Sequence, residues 1–214
     1  MIGFNTVEGE FSYQVIIERS KFICYLKGIE NEDQAKEYIN SIKKINSLAN
    51  HNCYAYIADE QGLIMKFSDD CEPQGTAGLP MLEVLKNKRL YKTVAVVTRY
   101  FGGIKLGTGG LTRAYSGAVA SCVDVSKVLR MRKGVLLEIF CDYESYSFLL
   151  KILNNPSINV IDTEFGDKIL VKLSVATEYY DKLIQSLSDL FKGKPDFKNI
   201  KTDYFSFGED LCQK

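Results

Sequence analysis

From Val135 onward the apolar spacing changes period in an order that few folds accept. Val135–Cys141 reads as a strand and about Ser145–Leu153 as a helix. Ile158–Phe165 and Lys168–Ala176 read as two strands joined at Gly166-Asp167. Glu178–Phe191 then reads as a helix and Lys198–Phe207 as a last strand. The third strand alternates strictly, with Ile169, Val171, Leu173 and Val175 on one face. The order β-α-β-β-α-β is the ferredoxin-like split βαβ pattern, and its span suits one small domain. Composition changes near residue 131, which sets the expected domains at 1–131 and 132–214 of an α+β chain.

The first part mixes the two periods differently. Phe11 to Lys27 reads as two strands turning at Arg19-Ser20-Lys21. A helix follows, with Asn31 as N-cap, acids at Glu32 and Asp33, and Gln34 at the third position. Ala35, Tyr38, Ile39, Ile42 and Ile45 form its apolar face. Asn52–Ala58 and Leu63–Ser68 flank the turn Asp59-Glu60-Gln61-Gly62. A loop from Asp69 to Gly78 leads to a short helix opened by Pro80 and running to about Leu85. Thr93–Thr98 is a continuous apolar run suited to a central strand. The long helix expected from near Leu111 carries the stripe Leu111, Ala114, Tyr115, Ala118, Cys122, Val125 and Leu129. The small residues Gly117, Ala118 and Ala120 predict a close neighbour there.

Composition removes several function classes. No apolar run approaches the roughly 18 residues of a membrane helix, and the opening Met-Ile-Gly-Phe-Asn-Thr-Val-Glu has no basic or apolar leader character, so a soluble, cytoplasmic protein is expected. Cys24, Cys53, Cys71, Cys122, Cys141 and Cys212 form no C-x-x-C pair and are expected to be free thiols. The net charge of zero hides an asymmetry. Residues 1–134 sum to +4 and residues 135–214 to −4. Between Glu83 and Asp124 lie Lys86, Lys88, Arg89, Lys92, Arg99, Lys105 and Arg113 with no acid among them.

The main candidate site lies inside that basic stretch, between the apolar strand and the long helix. Gly102, Gly103, Gly107, Gly109 and Gly110 let main-chain N–H groups turn toward one point. The helix start adds its unpaired N–H groups and the positive end of its dipole. Arg99 and Lys105 flank the turn, and Arg113 is expected in the first helical turn. A cation there opposes the dipole, which makes sense if an anion sits between them. The glycine spacing fits neither nucleotide fingerprint, so no ATP, GTP or NAD, and no other cofactor, is expected.

A secondary candidate is formed by His51, Asn52, Asp69, Asp70 and Glu72. Three carboxylates in four residues are compatible with Mg²⁺ or acid–base chemistry. They are equally compatible with turn capping or pairing to Arg99 or Arg113, and the structural alternative is favoured because the spacing is not that of a hard-cation site. A Cys71–His51 nucleophile pair is conceivable, but nothing along the chain brings the two together, and no zinc ligand spacing is present. No catalytic or metal residue is therefore assigned. Tyr54, Tyr56, Tyr100, Phe101 and Tyr115 surround the motifs, mostly as core, with an exposed ring or two able to stack on bases.

Taken together, several segments resemble the IMPACT family in its bacterial YigZ-like branch. They are Ser20-Lys21-Phe22, His51 to Tyr56, Phe67 to Asp70 with Glu72-Pro73, Gly75 to Gly78 with Pro80, Thr98 to Gly103, Leu106-Gly107, and Gly109 to Leu111 with Arg113-Ala114-Tyr115. The chain departs from the family at Cys71, where glycine is usual, at Gln74, where a small hydroxyl residue is common, and at Leu79, where a basic residue is common. The resemblance implies an N-terminal domain like the second domain of ribosomal protein S-five and a C-terminal ferredoxin-like domain, each with a counterpart in elongation factor G. It implies RNA or the ribosome as partner and a link to regulation of translation. Two other functions stay open at this point: a peptidase-like hydrolase using His51 with Asp69, Asp70 and Glu72, and a protein–protein regulator of translation using the acidic C-terminal domain. An enzyme is the less expected of these outcomes.

Overall fold

The computed structural model describes residues 3–211 as two compact units, residues 4–129 and residues 130–211, the latter grouped with Gly3. Cys212 lies outside the described residues.

The first unit is an antiparallel sheet with helices on both faces. Its strands are β1 (Phe4–Val7), β2 (Glu10–Ile17), β3 (Ser20–Gly28), β4 (His51–Ile57), β5 (Met65–Ser68) and β6 (Thr93–Tyr100). The sheet order is β2-β3-β6-β4-β5, with every neighbouring pair antiparallel. β1 is not a strand of this sheet, and Asn5 makes a separate isolated bridge to Leu90.

The helices are α1 (Glu32–Ile45), α2 (Gly78–Asn87) and α3 (Gly107–Val125). The continuous apolar character of β6 follows from its position, since both of its faces are covered. Ala95 and Val97 face the core made with α2 and α3, while Val94 and Val96 face the core made with α1. α1 starts as its residues predict: Asn31 Oδ1 accepts the Gln34 N–H at 3.0 Å, and Gln34 Oε1 accepts the Glu30 N–H at 2.9 Å.

Three expectations are corrected here. α3 begins at Gly107, four residues before Leu111, so Gly107, Gly109 and Gly110 form its first turn instead of a loop. The helix ends at Val125, so Leu129 belongs to the next strand, and Val125 and Ile45, each the last residue of its helix, are exposed. Gly117 has open space around it, so the small residues of α3 do not mark a close neighbour at that position.

The second unit runs β7 (Val128–Cys141), α4 (Tyr143–Leu153), β8 (Ile158–Phe165), β9 (Ile169–Ala176), a short 3₁₀ turn, α5 (Tyr180–Leu190) and β10 (Asp196–Leu211). Its sheet order is β10-β7-β9-β8. Ile169, Val171, Leu173 and Val175 of β9 are buried with Leu149 and Leu153 of α4 and Leu183 and Leu187 of α5, as the period-2 spacing requires. Among the described residues no helix is long and apolar enough to cross a membrane.

Candidate functional site

The β2–β3 hairpin turns on only two residues, Glu18 and Arg19, both with positive φ, because Ile17 pairs with Ser20. That tight turn lies against the Gly102 backbone. A Cβ added at Gly102 would sit 2.0 Å from the Arg19 carbonyl carbon and 2.4 Å from the Ser20 nitrogen. The Gly102 N–H donates to Ser20 Oγ at 3.2 Å, and the Phe101 N–H donates to Asn50 Oδ1 at 2.8 Å. The strand-to-helix segment is therefore held by side chains that are distant in sequence.

Beyond it, Lys105 and Arg113 line one depression of about 440 Å³, together with Ile17, Glu18, Ile104, Leu106, Gly110 and Ala114. The first turn of α3 carries no acid and no side-chain cap. Its leading N–H groups are the ones that lack intrahelical acceptors. Arg113 lies in the second turn and reaches back, its Nη1 being 3.6 Å from where a Gly109 Cβ would stand. Both cations are exposed and form no ion pair with a described residue. Glu18 supplies one carboxylate to the depression, beside the exposed cation Arg19.

Arg99 does not line this depression, which corrects the expected trio of cations. It is turned into the core, and its Nη1 donates to Glu72 Oε1 at 2.7 Å with side-chain exposures of only 6% and 3%. Tyr115 Oη donates to the same oxygen at 2.7 Å. The guanidinium lies over the rings of both Phe22 and Phe101, 5.4 Å from each centroid. The physical reason is local: β6 is buried along nearly its whole length, and Arg99 is paired across the sheet with Phe22 and His51. A charge at that position needs a buried counter-ion, which Glu72 supplies.

The structure does bring the secondary constellation together. His51 Nδ1 lies 2.9 Å from the Asp70 carbonyl oxygen, which can only accept, so Nδ1 carries the proton. His51 Nε2 is 3.8 Å from Glu72 Oε1. Asn52 donates its N–H to Asp70 Oδ2 at 2.7 Å, and Lys43 reaches Asp70 Oδ1 at 3.0 Å. Asp69 accepts main-chain N–H bonds from Gly75, Ala77 and Gly78 at 2.8–3.0 Å. The three carboxylates are thus committed to building the loop and neutralising Arg99. Burial pushes the Cys53 thiol and the Tyr115 phenol up, so neither is an ionised nucleophile. Cys71 is exposed, and the His51 contact to this loop runs to the Asp70 carbonyl. Among the described residues no cluster of His, Cys, Asp and Glu has the arrangement to hold a metal ion.

Asp70 and Cys71 adopt φ of +42° and +71°. An exposed cysteine in the left-handed region carries a backbone cost that glycine avoids. Cys71→Gly is expected to stabilise the protein by about 1 kcal/mol, read as a Tm rise of about 2–4 °C. An unchanged or lowered Tm would show that the loop does not store this strain.

Reading along the sequence missed Ser20, Asn50 and Lys43 as members of these networks. Ser20 alone carried a hint, as part of Ser20-Lys21-Phe22.

A two-unit α+β protein whose first unit matches the family model described as the Impact N-terminal domain, over residues 18–123, defines the class. The chain belongs to the IMPACT family, in its YigZ-like branch. It is 37% identical over 202 residues to the IMPACT family member YvyE of Bacillus subtilis (strain 168), covering 94% of this chain and 93% of that one. It is 33% identical over 183 residues to the IMPACT family member YigZ of Escherichia coli (strain K12), covering 83% and 88%. A crystal structure described as that of a hypothetical protein aligns with a TM-score of 0.59 at 28% identity, over 94% of this chain and 98% of the other.

Proposed function

We propose that this chain is an RNA- or ribosome-binding protein of the cytoplasm, linked to regulation of translation. In this reading it holds phosphates in the depression between the Glu18-Arg19 turn and the start of α3. One observation carries the proposal. Lys105 and Arg113, exposed and without carboxylate partners, converge where a helix opens with no acid and no capping side chain. Phosphate oxygens satisfy both kinds of donor at once. Gly107, Gly109 and Gly110 leave the approach to those N–H groups uncovered by side chains, at some cost in helix propensity. Gly102 and Arg99 belong to the scaffold of the site, Gly102 by letting the hairpin approach and Arg99 through its ion pair with Glu72, while Gly103 turns the chain at φ +86°.

The same reading takes the first unit as like the second domain of ribosomal protein S-five and the second unit as ferredoxin-like. The sheet order β10-β7-β9-β8 on the element order βαββαβ supports the latter. The free thiols at Cys24, Cys53, Cys71, Cys122 and Cys141 suit a reducing compartment.

The test is RNA binding and ribosome co-sedimentation across a salt series. Wild-type affinity is expected to fall steeply as salt rises. The Lys105→Ala/Arg113→Ala variant should bind about tenfold or more weakly, and its log–log salt slope should be shallower by about 1.5, from two lost phosphate contacts. Retention of neither RNA nor ribosomes by the wild type, or retention indifferent to salt, overturns the proposal.

A further inference from the structure

We infer that the Phe101 ring is a stacking platform for an unpaired purine base, so that the phosphate groove takes single-stranded RNA in preference to a duplex; this rests on the phosphate-binding reading above. Phe101 is 45% exposed, so its ring has a face open to a ligand. It immediately precedes Gly102 and lies a few residues from Ile104 and Lys105 of the groove. Its position is set in advance. The Phe101 N–H is bonded to Asn50 Oδ1, and the next residue is pressed against the Arg19 backbone. A ring held this way loses little conformational freedom on binding.

One side of the ring is already occupied. The Arg99 guanidinium lies over it at 5.4 Å and over the buried Phe22 ring at the same distance. Arg99 Nε has no hydrogen-bond partner, so the two rings carry part of the stabilisation of that cation. A cation on the inner face draws π-electron density toward itself. The outer face of Phe101 is left electron-poor, which favours contact with the electron-rich face of a purine.

The surroundings select a polyanion. Arg19 in the hairpin turn packed on Gly102, Lys105 in the loop after it and Arg113 in α3 are exposed, and Lys21 covers the neighbouring Tyr100 ring at 4.5 Å. An exposed aromatic ring beside cations matches a base next to its own phosphates. Bases inside a duplex are stacked on each other and cannot reach the ring.

The experiment measures binding of the full chain to labelled polyadenylate, polyuridylate and an RNA duplex of equal length, with Phe101→Leu, Phe101→Tyr and Arg113→Ala beside the wild type. Polyadenylate is expected to bind more tightly than polyuridylate, and the duplex most weakly. Phe101→Leu should weaken polyadenylate binding about five- to a hundredfold with an unchanged salt slope and should erase the purine preference. Phe101→Tyr, which keeps the ring, should bind like the wild type. Arg113→Ala should instead reduce the slope by about 0.7. If Phe101→Leu binds every RNA as the wild type does, as it would were the ring a contact for a protein, or if the duplex binds as tightly as the single strand, the stacking inference is overturned while phosphate binding stands. If the wild type binds no RNA in a salt-sensitive way, the phosphate reading itself is lost.

Discussion

Replacing Glu72 by leucine is expected to destabilise the protein by about 3–5 kcal/mol, among the largest effects that a single substitution here should produce. Glu72 is the only carboxylate that touches Arg99 among the described residues, and both side chains are almost wholly buried. Without it, a guanidinium would remain in the core with its Nε already unpartnered and Nη1 newly so. Tyr115 Oη would lose its acceptor as well. Solvent cannot reach in to compensate, and the low local polarisability makes an unpaired charge costly. The double variant Glu72→Leu/Arg99→Met removes both charges and should recover much of the loss, because a buried ion pair and an apolar pair of similar volume are often close in stability. Urea unfolding followed by circular dichroism checks both, read as a shift in midpoint at constant m. A Glu72→Leu variant within about 1 kcal/mol of the wild type would mean that Arg99 finds another partner or reaches water.

Gly102→Ala is expected to cost about 3 kcal/mol and to weaken RNA binding at the same time. The methyl group would sit 2.0 Å from a main-chain carbon of Arg19 and 2.1 Å from its carbonyl oxygen. A flexible side chain can swing away from such a clash, but a two-residue hairpin turn cannot yield without loosening its strands. The Gly102 N–H bond to Ser20 Oγ would be lost with the displacement. Arg19 and Glu18 would move together, and the groove that Glu18 lines would open on one side. A contrast is available at Gly109, an exposed helix-start position where a Cβ would meet only the tip of Arg113 at 3.6 Å. Gly109→Ala should leave stability nearly unchanged or slightly raised, since alanine is the better helix former. Equal losses at Gly102 and Gly109 would show that close approach is not what demands glycine at Gly102.

The elements themselves were largely legible in advance, because each announces itself through local periodicity or a cap. The capping residues Asn31 and Gln34 marked the start of α1, and the alternation in β9 marked a buried face. The buried run of β6 marked a strand covered on both sides. Where local reading went astray, the physical cause is plain. Glycine lowers helix propensity, so the Gly-rich segment reads as a loop, yet α3 begins at Gly107. The apolar stripe of α3 extends past the helix itself, which ends at Val125 with that side chain exposed.

The candidate site was legible only in part. Lys105 and Arg113 stand where a strand–glycine–helix segment puts them, on one side of the helix start. Arg99 could not be placed from its own neighbourhood. An arginine at a strand end is compatible with solvent or with a buried pair, and the choice depends on Glu72, which lies 27 residues away. The same holds for Asp69 and Asp70, whose acceptors fill with main-chain donors only once the loop closes.

The amino-acid order by itself determined most of the strands and helices, and that the chain's positive charge collects between Glu83 and Asp124. Those properties depend on neighbours along the chain, on period, caps and local charge. Only the tertiary structure decided that Arg99 is an internal ion rather than a surface ligand, that the Glu18-Arg19 turn completes the groove, and that Phe101 is backed by a cation. Burial and pairing at those sites are set by residues tens of positions apart, which meet only after the sheet has formed.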